Sequence, residues 1–64
     1  MTITWKDGSQ TILRDNGANT HIGEIAHYVM HSAYYVERTY KIKAEEAILN
    51  YAKSYGAKIE DDKS

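Results

Sequence analysis

Residues 24–55 contain neither glycine nor proline, and the run around their first half repeats apolar side chains at helical spacing. Placed at about 100° per residue, Ile22, Ile25, Ala26, Val29, Ala33 and Val36 fall in one stripe. His27, His31, Tyr34, Tyr35 and Arg38 fall on roughly the opposite side, with Glu24 and Tyr28 at its edge. The first stripe has the make-up of a core face. The second is the one place where aromatic, titratable and cationic groups gather.

The end of this helix is the ambiguous point. Residues 34–42, YYVERTYKI, are rich in β-formers. Tyr34, Val36, Tyr40 and Ile42 alternate there with Glu37, Thr39 and Lys41, as in a half-buried strand. Against a strand, Arg38 would fall on the apolar side and Tyr35 on the polar one. No turn residue precedes Tyr34 to reverse the chain. The favoured reading is a helix over 20–38, a connection over 39–42 and a second helix over 43–55. In that second helix Ala44, Ala47, Ile48, Tyr51, Ala52 and Tyr55 share a face. Glu45 and Glu46 suit its positive N-terminal end and Lys53 its negative C-terminal end. Gly56 then follows as a left-handed cap.

Before the helices, residues 2–14 read as a β-hairpin. Asp7-Gly8 is a strong two-residue turn signal, because both central positions of a type I′ turn require positive φ. That turn sets Lys6 against Ser9, Trp5 against Gln10, Thr4 against Thr11 and Ile3 against Ile12. Ile3, Trp5, Gln10 and Ile12 then share the face expected to pack on a helix, while Leu13 falls on the polar face. Residues 15–19, DNGAN, form a loop of turn formers. Asn19 or Thr20 is placed to cap the following helix. Gly23 in its first turn makes sense where the hairpin backbone comes close.

A chain of 64 residues holds one core, and a marginal one. There is no cysteine, so neither a disulfide framework nor a thiolate zinc site is available. Support must come from packed helices, from Trp5 and the six tyrosines, or from a homodimer. The expected architecture is α+β, an N-terminal β-hairpin packed on two α-helices in ββαα order. A short C-terminal edge strand over 57–59 is optional. The domain spans 1–59, and an acidic mobile tail spans 60–64.

No apolar run approaches the roughly 20 residues that cross a bilayer, and the N-terminus lacks the basic and apolar blocks of a signal peptide. Together with the missing thiols this points to the cytoplasm. The chain reads as a complete small open reading frame. Its tail carries −2 of the overall −1, leaving +1 for the rest. Neither value is the basic footprint of a nucleic-acid binder.

His27 and His31, four apart, have the spacing of two imidazole ligands on one zinc, and Glu24 adds a carboxylate. A zinc-protease motif needs glutamate directly after the first histidine, where this chain has Tyr28. A fourth ligand is also missing, since His21 points away from the stripe. No metal or cofactor is therefore assigned. Tyr34, Tyr35 and Arg38 are residue types enriched at protein interface hot spots, and Arg38 sits one turn from Tyr34, within reach of its ring. The competing reading buries the tyrosines under the hairpin and the isoleucines under the second helix. Base stacking on the aromatics, with Arg38, Lys41 and Lys43 on phosphates, gives a dimeric nucleic-acid-associated regulator as the alternative function. None of the four serines lies in a nucleophile motif, so no catalytic residue is assigned. The leading expectation is a non-enzymatic interaction protein that docks on a larger protein through Tyr34, Tyr35, Arg38, His27 and His31 and inhibits or modulates it. A phage or mobile-element accessory protein acting on a host factor fits the size.

Overall fold

Asp7-Gly8 does reverse the chain, but with three loop residues rather than two. In the computed structural model, which describes residues 1–15 and 18–61, Gly8 N–H donates to the Trp5 carbonyl at 2.9 Å and Trp5 N–H to the Ser9 carbonyl at 2.8 Å. Gly8 alone takes positive φ here, +88°. Asp7 keeps negative φ, and its carboxylate accepts the Ser9 N–H at 2.8 Å. A three-residue loop closed by a left-handed glycine satisfies Asp7 in a way that a type I′ turn does not.

The extra loop residue shifts the register by one. Strand β1 (Thr2–Thr4) pairs antiparallel with β2 (Gln10–Ile12) as Thr2 to Ile12, Ile3 to Thr11 and Thr4 to Gln10. A one-residue slip turns every side chain of a strand to the other face. Ile3, Trp5, Ser9, Thr11 and Leu13 are therefore buried, whereas Gln10 and Ile12, expected beside Trp5, lie with Thr2 and Thr4 on the outer face.

Residues Thr20–Ile22, expected as the start of the long helix, form a third strand, β3, on the free edge of β2. Thr20 and Ile22 are β-formers, and pairing satisfies backbone groups that β2 would otherwise leave open. Ile22 consequently leaves the core stripe and stands 55% exposed. At the other edge β4 (Lys58–Glu60) pairs with β1, giving the antiparallel order β3-β2-β1-β4. The optional C-terminal strand thus exists, and it takes in Glu60, which pairs with Thr2 rather than belonging to a tail. The loop positions Asn16 and Gly17 and the tail residues 62–64 lie outside the described residues.

Helix α1 runs Glu24–Tyr40, so the strand alternative for residues 34–42 fails and the helix extends two residues beyond Arg38. It ends at Lys41 in left-handed conformation, φ +58°, with its N–H on the Glu37 carbonyl. Helix α2 (Ala44–Ser54) follows after Ile42 and Lys43, and Gly56 takes φ +67° beyond its end.

Neither helix carries a side-chain acceptor at its own N-cap. Asn19 and Thr20 do not cap α1. Instead Ser9 Oγ accepts the Ile25 N–H at 3.2 Å, and Asp7 Oδ2 approaches it at 3.4 Å. The first turn of α1 is thereby fastened to the hairpin loop. Gly23 makes this approach feasible. A Cβ there would stand 2.8 Å from Ser9 Cβ and 2.9 Å from Ser9 Cα, and φ is +99°. At α2, Glu37 reaches from α1 to accept the Ala44 N–H at 2.9 Å.

The core lies between one face of the sheet and both helices. It joins Ile3, Trp5 and Leu13 to Ala26, Val29 and Ala33 of α1 and Ala47, Ile48 and Ala52 of α2. Trp5 is 2% exposed, donates its indole N–H to Thr11 Oγ1 at 2.8 Å, and meets the Tyr55 ring edge-on at 6.3 Å. The molecule is α+β in the order βββααβ.

Candidate functional site

The sheet and α2 both pack against the Ala26, Val29 and Ala33 side of α1, which leaves the opposite side of that helix uncovered. His27, His31, Tyr34, Tyr35 and Arg38 are all exposed there. The arrangement in which the hairpin buries the tyrosines is not formed. Tyr28 and Tyr40 extend the exposed surface, and Tyr35 and Tyr40 are each 65% exposed. Helical periodicity brings these residues together, and burial of Ala26, Val29 and Ala33 fixes that face of the helix against the core.

Within this face the His27 and His31 rings meet edge to face, centroids 5.1 Å apart. Next to them His31, Tyr34, Tyr35, Arg38 and Thr39 line a shallow groove. Arg38 lines it without stacking on Tyr34, and no hydrogen bond links Glu24 to His27. Glu24 and Arg38 both lack an ion-pair partner among the described residues.

His21 departs from its expected isolation. Its position in β3 turns it to the inner face of the sheet, where Nδ1 lies 3.3 Å from Thr11 Oγ1. Burial, and secondarily the nearby His27, pushes its imidazole below the ordinary range. Even so, no group of three or more histidine, aspartate or glutamate side chains is arranged to hold a metal among the described residues. Ser9 is buried, donates to Asp7 and accepts from Ile25, which makes it a structural link.

A second concavity of about 300 Å³ lies where the hairpin loop meets both helices, lined by Lys6, Ile25, Tyr28, Ser54 and Tyr55. Tyr28 and Tyr55 face each other across it, and the Tyr55 phenol is pushed up by desolvation and then by Tyr28 and Tyr51. Tyr51 and Tyr55 stack at 5.9 Å. Sequence reasoning places Tyr28 only at the edge of a stripe and does not find this cleft, because its members come from three elements far apart in the chain.

No helix among the described residues is long and apolar enough to cross a membrane. No protein-family model, curated protein or solved structure matches the chain.

Proposed function

We propose that the outward face of α1 is a docking surface for a larger protein, which this chain inhibits or modulates without chemistry of its own. One observation carries the reading. His27, His31, Tyr34, Tyr35 and Arg38 stand exposed together on one face of α1 that no other element covers among the described residues. Tyrosine rings supply large, stiff contact area at small entropic cost, and the arginine and imidazoles supply directed donors. A helix laid against a groove is a common mode of peptide and domain recognition. The small size and the absence of cysteine suit an accessory protein of a phage or mobile element, working on a host factor in the cytoplasm.

The test is affinity capture from nuclease-treated bacterial lysate, with wild type set against a Tyr34→Ala, Arg38→Ala double variant. Both baits are first checked for equal melting temperature, since exposed substitutions of this kind move stability by only about 0.5 kcal/mol. The expected result is a protein recovered by wild type and lost with the variant. Equal recovery on both baits overturns the assignment of the surface.

A further inference from the structure

The charges on the outward face of α1 are placed symmetrically. Glu24 and Arg38 each stand seven residues from His31, so the three recur along nearly one line, drifting by about 20° per seven residues. The opposite charges are about 21 Å apart along the axis. Four of the ring-bearing residues follow the same symmetry. His27 and Tyr35 are equally distant from His31, and so are Tyr28 and Tyr34.

A surface with this symmetry is complementary to itself under one operation only. A parallel copy would set Glu24 against Glu24 and Arg38 against Arg38. An antiparallel copy, related by a two-fold axis through His31, sets each Glu24 against the other copy's Arg38. It also sets His27 against Tyr35 and Tyr28 against Tyr34. Closed two-fold pairing is the commonest form of self-association and uses the same patch on both chains. Both charged groups are free to take part, having no ion-pair partner within the chain among the described residues. The net charge of −1 adds little general repulsion between copies.

From this arrangement we infer that the free protein is an antiparallel homodimer through α1, with its two-fold axis at His31. The inference rests on the outward face of α1 being an interaction surface. It names the second copy as the occupant of that surface when no larger partner is present. Dimer and docked complex then compete for the same tyrosines, so the dimer masks the surface until a tighter partner opens it.

Charge reversal tests the pairing. Glu24→Arg and Arg38→Glu each turn two attractive contacts into repulsive ones and are expected to weaken the dimer about tenfold in sedimentation equilibrium. The double variant, Glu24→Arg with Arg38→Glu, restores the pairs with their signs exchanged and is expected to recover wild-type affinity to within about threefold. Register is tested separately by cross-linking, because the chain has no cysteine of its own. His31→Cys places a thiol on the axis and should form an inter-chain disulfide under mild oxidation. Asn50→Cys, on the exposed side of α2, should not. All variants are compared by far-ultraviolet circular dichroism first.

A wild type that stays monomeric up to about 1 mM, the weak limit of a specific contact, overturns the inference. So does a dimer indifferent to the single reversals, one that the double variant fails to restore, or preferential cross-linking through position 50. None of these outcomes touches the docking reading, which stands or falls on capture of a larger protein by wild type and its loss with Tyr34→Ala, Arg38→Ala. If the dimer fails and that capture succeeds, the face serves the larger partner alone.

Discussion

Thr11 is a polar residue with no accessible surface. Trp5 Nε1 can only donate, so Thr11 Oγ1 accepts from it, and the same oxygen lies 3.3 Å from Nδ1 of His21. Protonation of His21 puts a cation in a partly buried place beside His27. Burial first, and then His27, lowers the proton affinity of His21 in the fold. The unfolded chain therefore binds the proton more readily, and stability rises with pH wherever that difference acts. Stability should be full above the ordinary histidine value of about 6.5 and decline as pH falls toward the lower folded value. Thermal melts across this range should show the decline, and His21→Gln, which keeps an acceptor without titrating there, should make it shallower. An identical slope in that variant would assign the pH dependence elsewhere.

At the scale of elements, the hairpin shows how one backbone choice reassigns a whole strand. Asp7-Gly8 correctly marks the reversal, and Gly56 and the 24–38 part of the first helix are equally readable, because each depends on local chemistry. Loop length is not local. The Asp7 carboxylate is satisfied by Ser9, and Ser9 in turn by the first turn of α1, a tertiary contact spanning 16 positions. The pattern Ile3, Trp5, Ile12 looks apolar on either register, so composition alone does not separate them. Strand β3 escaped for a similar reason: Ile22 fits the helical stripe at 100° as well as it fits a strand. The outward face of α1 was legible because it follows from helical period alone, whereas the cleft around Tyr28 and Tyr55 needs the packing of three elements. The two registers differ measurably. With the observed pairing, Leu13→Ala empties a core site and should cost about 2–4 kcal/mol, while Ile12→Ala on the outer face should cost less than about half of that. Urea unfolding of the two variants decides between them, and the reverse order would restore the two-residue turn.

For the whole molecule the decisive quantity is how little stability a chain of 64 residues can hold. At the usual range per residue it amounts to about 3–10 kcal/mol. The described fold is 31 × 25 × 18 Å, and much of its core consists of alanine, which lets helices and sheet approach closely but contributes little buried area of its own. Trp5 is the one large ring in that core, bonded to Thr11 and meeting Tyr55 beyond the end of α2. Truncating a buried tryptophan typically costs about 3–5 kcal/mol, a large share of the total. Trp5→Ala is therefore expected to be substantially unfolded at room temperature in dilute solution. Tyr35→Ala, at an exposed position of the proposed surface, should instead melt within a few degrees of wild type while losing binding. Circular dichroism melts of the two variants, followed by a binding assay on the folded one, separate the residues that hold this protein together from those it offers to others. A Trp5→Ala variant weakened by less than about 1 kcal/mol would mean that the core does not turn on the indole, and the packing of the hairpin against α1 and α2 would have to be redrawn.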